Sequence, residues 1–252
     1  MSFEHETDSE FVRHVPCDEC GSKDNAALYN DDHTFCFGCG HWESGSEGHT
    51  GPVRTPHNQE LLQGEYRALR SRRLTEESCR KFGYMVGQHN GQSVQIATYR
   101  DKTGKPCAQK IRTKDKNFSI VGDAKAMTLY GSHLFSKGRK LVVCEGELDC
   151  ISVSQIQGHK WATTSLVNGC QSAKKTLLAN YDYLMGFQEI ILFFDNDAPG
   201  RAAAIECAEA LPIGLAKIAT LSEYKDANEA LVAGDTKAVI EAIFHAKEHR
   251  PD

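Results

Sequence analysis

Two pairs of cysteines, Cys17-x-x-Cys20 and Cys36-x-x-Cys39, stand fifteen residues apart in a stretch too short to bury a core of its own. Four thiolates at that spacing can close a tetrahedron around one zinc ion. The pieces between the pairs, AALYN and HTFCF, read as short ribbon strands. Residues 1–42 are therefore expected to form a small β zinc ribbon, in which the metal contributes roughly 10–16 kcal/mol that burial in so short a segment cannot supply. Chance pairing or two local redox pairs would not need both knuckles at this separation. The other six cysteines, Cys79, Cys107, Cys144, Cys150, Cys170 and Cys207, are scattered, several inside apolar runs, and read as reduced core residues.

The opening MSFEHETDSE is acidic where an export signal would be basic and then apolar. No stretch approaches the roughly 18–20 uncharged apolar residues of a membrane span. A cytosolic protein with no membrane partner is the expectation. The 252 residues are 40% hydrophobic, enough for a real core, and the net charge of -5 excludes a uniformly basic nucleic-acid binder. Any phosphate contact must come from a local patch.

After the ribbon, ESGSEGHTGPVRTPHNQ has the composition of a flexible tether, placed at residues 43–64; about twenty such residues have an r.m.s. span of roughly 25 Å. Residues 65–138 read as a mixed α+β subdomain: a helix through LTEESCRKFGYM, then strands SVQIATYRD and AQKIRT joined by the turn KTGKP. From residue 139 apolar strands (KLVVCEG, WATTSLV, EIILFFD, AKIATL) alternate with helical stretches, among them one from Leu148, KKTLLANYDYLM and GRAAAIECAEAL, the pattern of a parallel sheet with crossover helices over 139–230. The last stretch, DANEALVAGDTKAVIEAIFHAKEHR, is read as helical, and 231–252 is expected as a C-terminal helix.

Two of these strands end in carboxylates: Glu145, Glu147 and Asp149 follow LVVC, and Asp195 and Asp197 follow IILFF. Open parallel sheets bind ligands at the carboxyl ends of their strands. Five carboxylates converging there repel one another unless a cation neutralises them, and hard oxygen donors select Mg²⁺ or Mn²⁺. Taken alone, Asp195 or Asp197 would be a helix N-cap, since Pro199 and Gly200 open a helix; with Glu145 and Asp149 on a neighbouring strand, an acidic site is the stronger reading. Asp226, in YKDANEA, is a further carboxylate at the same edge, as metal ligand or simple N-cap.

Between Arg100 and Lys116 seven basic residues face two acidic ones, a local net of +5. Alternation would put Lys110, Arg112, Lys114 and Lys116 on one face of an extended strand, where they could hold triphosphates or a DNA backbone. A solvated edge strand kept from aggregating by its lysines is the plainer alternative. In the ribbon, His33, Phe35, Phe37, His41 and Trp42 could stack on exposed bases or pack the small domain against its zinc.

With these residues the chain resembles the primase half of the phage T7-type primase-helicases. The zinc knuckles, QKIRTKDKNF, EGELD, FDNDAPGR and KDANE follow that family in order, so the resemblance covers nearly the whole chain. The acidic pair of motifs is common to Toprim proteins; the basic segment and the ribbon narrow the class. The resemblance implies an α/β architecture of zinc ribbon, linker, basic subdomain and Toprim subdomain. It implies that Asp31 and His33 read a short site in a single-stranded DNA template. Glu145, Asp195 and Asp226 would hold Mg²⁺, with Glu147, Asp149 and Asp197 completing the acidic site. Lys110 and Lys116 would handle ribonucleoside triphosphates, with Arg112 and Lys114 beside them on phosphates. The segment before the Asn of KDANE departs from the family pattern, which leaves Asp226 less secure as a ligand. No G-x-x-x-x-G-K-[ST] loop occurs, so the ATP-driven helicase half is not expected here.

The function so implied is template-directed, metal-dependent synthesis of RNA primers in phage replication, in the host cytoplasm, with a helicase and a DNA polymerase as partners. Two rivals remain. A Toprim nuclease or topoisomerase would share the acids, though the chain has little room for a topoisomerase's tyrosine-bearing domain. A non-catalytic zinc-ribbon protein would bind single strands without divalent-metal dependence.

Overall fold

The computed structural model describes residues 10–19, 21–37, 41–45 and 60–249, which fall into two compact units divided after His57. In the first, β1 (Phe11–Val15), β2 (Ala26–Tyr29), β3 (Thr34–Cys36) and β4 (Trp42–Glu43) form an antiparallel meander in chain order. The two ribbon strands expected from AALYN and HTFCF are β2 and β3, paired with Ala26 opposite Cys36. Cys17 and Cys36 are buried in one small cluster with Ala26. Cys20 and Cys39 lie outside the described residues. Most of the expected tether does too; of its described ends, Glu43 belongs to β4 and Gly64 to a strand of the second unit. Leu62 is already docked there, because its backbone N–H and C=O both bond the amide side chain of buried Gln109.

The second unit holds two five-stranded sheets. The antiparallel one has the order β5 (Gly64–Glu65), β6 (Tyr84–His89), β7 (Gln92–Arg100), β8 (Pro106–Arg112), β9 (Phe118–Gly122), with α1 (Glu76–Phe82) entering β6. Thr75 caps α1 and Gly83 ends it in the left-handed region, so Tyr84 and Met85, expected at the tail of the helix, start β6 instead. The expected four-residue basic face is corrected. Strand β8 stops at Arg112, and Thr113–Asn117 forms a turn closed by Asn117 N–H on the Thr113 hydroxyl, with Lys116 at φ 63°. Only Lys110 and Arg112 share the strand face. Strand β8 pairs on both sides, so it is not a lysine-protected edge.

The other sheet runs β11 (Ala162–Ser165), β10 (Gly138–Cys144), β12 (Phe187–Phe193), β13 (Ala216–Ile218), β14 (Lys247–Glu248); the first four are parallel and β14 is antiparallel to β13. Its helices are α2 (Glu147–Ile156), α3 (Ala173–Ala179), α4 (Tyr181–Leu184), α5 (Ala198–Glu209), α6 (Ala227–Ala233) and α7 (Thr236–Phe244). The expected helix KKTLLANYDYLM is broken at Asn180 into α3 and α4. The C-terminal stretch is likewise not one helix. Gly234, at φ 89°, ends α6; Asp235 caps α7; and Lys247–Glu248 pairs back on the sheet. Val239 and Ile243 of α7 are buried in the same core as Cys150 and Ile151 of α2, so this segment is part of the unit rather than an appendage.

That core joins the two sheets. Phe82, Tyr84, Ala97 and Tyr99 from the antiparallel half pack with Val142, Cys144, Ile191 and Phe193 of the parallel half. Tyr130, bridged to Ser165 at the end of β11, sits between them, 5.2 Å from the Tyr99 ring and 6.0 Å from Phe82. The close approach is made possible by Gly131: at φ 82°, a Cβ there would lie 2.8 Å from Phe82 Cε1. Gly131→Ala is expected to cost about 2–4 kcal/mol, from the left-handed backbone and the clash together, whereas Gly91→Ala, at φ 74° but in open space, should cost about 1 kcal/mol. Urea unfolding midpoints of the two variants check this; equal losses would mean the contact with Phe82 does not matter.

Candidate active site

Strand order places the site. The chain steps from β10 to β11 on one side and then returns to lay β12 on the other, so the order reverses between β10 and β12, where such sheets open a crevice at their carboxyl ends. Glu145 follows β10 and Asp195 follows β12. The Glu145 carboxylate accepts from the backbone N–H of Asp195 and of Cys170, each at 3.3 Å, which fixes it across the crevice. Cys170 lies in the turn after β11, where Gly169 adopts φ 67° and brings the main chain against Glu145.

The sequence-derived acids fall into distinct settings. Asp195 is drawn together with Asp197 by Lys225, whose Nζ lies 3.2 Å from one carboxylate and 3.3 Å from the other. Asp197 is also the N-cap of α5, accepting from Gly200 N–H at 2.9 Å, and this bond holds its carboxyl below the usual range. Asp226 caps α6 through Glu229 N–H at 2.7 Å and at the same time raises the neighbouring carboxyls by its charge. Asp149 accepts from Asn228 N–H at 3.0 Å; burial, then the charge of Asp226, pushes its carboxyl far up. Burial, then the charge of Glu145, pushes Asp195 up to about 6 against the pull of Lys225. Glu147 is placed apart in its bonding: its Oε1 takes Tyr99 O–H at 2.5 Å and Lys110 Nζ at 2.9 Å.

Among the described residues no three of these side chains form a preformed metal-ligand set. The donor chemistry nevertheless fits a hard divalent cation. The groups are carboxylate oxygens, and burial, followed by the charge of acidic neighbours, raises both Asp149 and Asp195, a strain on the ionised forms that a bound cation would relieve.

On the basic side, Lys110 Nζ also bonds Val167 C=O at 2.9 Å. The exposed Phe118 ring lies 5.2 Å from Lys110 Nζ and 5.7 Å from the Arg112 guanidinium, a cation–π arrangement. Lys114 and Lys116 are exposed in the turn beyond. In the ribbon unit, Asp31 bonds His33 Nδ1 at 2.5 Å, and the His33 ring stacks on Tyr29 at 4.2 Å.

Four contributors escaped sequence reasoning: Lys225, Asn228, Tyr99 and the turn Leu166–Cys170. Lys225 adjoins Asp226 in YKDANEA, and a lone cation beside a suspected ligand is a signal that could have been read. Asn228 is 1% exposed and bonds Asp149, Ser152 and Arg72. Nothing in the sequence distinguishes Tyr99 from any strand tyrosine.

A carboxyl titrating higher in the folded than in the unfolded state binds protons preferentially when folded, so its contribution is best at low pH and is lost as pH rises from about 4 to about 6. In EDTA, Asp195→Asn is therefore expected to gain on wild type across that interval, ending roughly 1–3 kcal/mol ahead at pH 7. Denaturant unfolding at pH 4 and pH 7 tests this; a difference between variant and wild type that is independent of pH would refute it.

Residues 64–122 match the family model described as Bacteriophage T7 DNA helicase/primase, N-terminal a+b fold, and residues 142–231 match Toprim-like. The DNA helicase/primase of Enterobacteria phage T3 is 39% identical over 99% of this chain, which spans 46% of that protein, so the chain is about half the length of this curated relative. The crystal structure of the primase fragment of the bacteriophage T7 primase-helicase protein superposes with a TM-score of 0.70 at 39% identity, covering 93% of this chain and 100% of that one. A second T7 structure, of lagging-strand DNA polymerase interacting with primase domains bound to an RNA/DNA hybrid and dTTP, has a TM-score of 0.71 at 41% identity, covering 75% of this chain and 95% of that one. With an acidic crevice at the sheet's switch point, a basic strand beside it and these matches across both sheets, the chain belongs to the T7-type DNA helicase/primase family and corresponds to its primase part.

Proposed function

We propose that this protein is a DNA primase, a nucleotidyltransferase that builds short RNA primers on single-stranded DNA at short recognition sites during phage replication, in the host cytoplasm. The observation that carries the reading is the juxtaposition, in one unit, of the acidic crevice of Glu145, Asp195 and Asp226 with the basic strand of Lys110 and Arg112. One half suits divalent cations, the other the phosphates of a nucleotide or template.

In this reading Glu145 and Asp195, with Asp226, hold Mg²⁺, and Asp149 and Asp197 complete the acidic surround. Bound there, Mg²⁺ would acidify the attacking 3′-hydroxyl and stabilise charge on the phosphates. Lys110 and Lys116 neutralise the triphosphate of the incoming ribonucleotide and align it, while Arg112 and Lys114 meet template or nucleotide phosphates. Phe118 offers a ring against which a base can stack beside those cations. No helix among the described residues is long and apolar enough to cross a membrane.

The ribbon unit is assigned one structural Zn²⁺ on Cys17, Cys20, Cys36 and Cys39. Burial of Cys17 and Cys36 in one cluster supports this assignment. Asp31 and His33, locked together by their hydrogen bond and with the His33 ring stacked on Tyr29, form a preorganised polar edge suited to reading a base of the template. A helicase, and a DNA polymerase that takes over the primer, are the proposed partners, by analogy with the T3 and T7 relatives.

Labelled ribonucleotides supplied with Mg²⁺ and a pool of short single-stranded templates are expected to yield short RNA on a subset of templates, and Asp195→Ala should lower the yield at least 100-fold. Template cleavage without RNA would replace the reading with a nuclease; neither product would leave a binding module. Cys36→Ser is expected to release zinc, measured by elemental analysis, and to abolish the choice among templates while leaving the folded second unit intact. Unchanged site choice would sink the ribbon's role.

A further inference from the structure

Glu147 belongs by sequence to the acidic motif, yet its partners lie on the antiparallel sheet. Its Oε1 takes Tyr99 O–H at 2.5 Å and Lys110 Nζ at 2.9 Å. Tyr99 on β7 and Lys110 on β8 share a sheet face: Lys110 pairs with Ala97, two residues before Tyr99. Glu147 is the first residue of α2, on the other half of the unit. One carboxylate oxygen therefore receives two donors from a different sheet. A metal ion on that oxygen would have to displace both. Tyr99 is 1% exposed, and among the described residues the other acceptors of its hydroxyl, Leu166 C=O and Val167 C=O, are both 3.4 Å away, so displacement would leave it poorly satisfied without water to replace the bond. The Lys110 ammonium has three donors, of which two go to Glu147 and to Val167 C=O, and its Nζ stands 5.2 Å from the Phe118 ring.

We propose that Glu147 is not a metal ligand but forms, with Tyr99, a positioning pair that holds the Lys110 ammonium for the phosphates of a bound ribonucleoside triphosphate. The pair acts through Lys110 and touches no substrate itself. It rests on the primase reading above. Glu147 compensates the charge of Lys110 at a place where the side chain is only 15% exposed, and Tyr99 keeps the carboxylate from turning toward the crevice. Lys110 is then presented in one orientation rather than as a flexible tail, which lowers the entropy lost when a phosphate is bound.

The test uses Tyr99→Phe and Glu147→Gln in the full chain, with Mn²⁺ binding followed by the paramagnetic resonance signal of free Mn²⁺, and ATP binding measured separately at fixed Mg²⁺. Both variants are expected to keep wild-type Mn²⁺ affinity and to bind ATP roughly tenfold more weakly, while Asp195→Asn loses Mn²⁺ affinity. Should Tyr99→Phe fail to fold, Glu147→Gln carries the same expectation. A fall in Mn²⁺ affinity in Glu147→Gln matching that of Asp195→Asn would make Glu147 a metal ligand and overturn the proposal, as would unchanged ATP binding in either variant. Wild-type protein that binds neither Mn²⁺ nor ATP would instead overturn the primase reading on which the pair depends.

Discussion

Like charge held in one place is the constraint around which the second unit is arranged. Glu145, Asp149, Asp195, Asp197 and Asp226 are brought toward one edge of a parallel sheet, where burial, and after it the charge of acidic neighbours, raises the cost of ionising Asp149 and Asp195. The fold offsets this with fixed donors: backbone N–H groups of Cys170 and Asp195 on Glu145, of Asn228 on Asp149, of Gly200 on Asp197 and of Glu229 on Asp226. Helix N-termini and tight turns supply these groups, so local backbone structure and the acidic site are one arrangement. Lys225 adds a cation, and its own backbone is held on both sides, by Glu229 and by Asn196.

The second dependence is the seam between the two sheets. Phe82, Tyr99 and Tyr130 fill it with rings, and the Glu147–Lys110 ion pair crosses it. Asn228 ties it again at another point, through its bonds to Asp149, to Ser152 of α2 and to Arg72 beside α1. The basic and acidic halves of the candidate site are thereby kept in register by buried contacts rather than by the surface loops that carry most of their charge.

Much of this was legible in the sequence wherever a residue's role follows from its neighbours in the chain. The apolar runs ending in Glu145 and Asp195 became adjacent parallel strands because continuous Val, Ile, Leu and Phe fit a strand buried on both faces. In the N-terminal unit, the two strands read from AALYN and HTFCF formed where expected. Where the outcome depended on distant partners, the sequence was silent or misleading. Alternation of Lys110, Arg112, Lys114 and Lys116 implied a longer strand, because a turn closed by Thr113 and Asn117 has no periodic signature. Glu147 looked like its motif neighbours, since nothing local reports that Tyr99, forty-eight residues earlier in the chain, would claim it. The C-terminal run looked helical throughout, although Gly234 is a legible stop and the pairing of Lys247 with Ile218 is not.

That last pairing matters beyond the boundary of an element. A parallel sheet with a bare outer strand offers a row of unsatisfied N–H and C=O groups on which another chain can add. Here β14 covers the rim at β13 with two charged residues, and at the opposite rim Tyr130 bonds both backbone groups of Ser165 on β11. Each margin of the parallel sheet is blunted by a short antiparallel stub, one carried by the C-terminal segment and one by the connection between the two sheets. The same segments that complete the core therefore also guard the sheet against self-templated growth while its carboxyl end gathers acidic side chains.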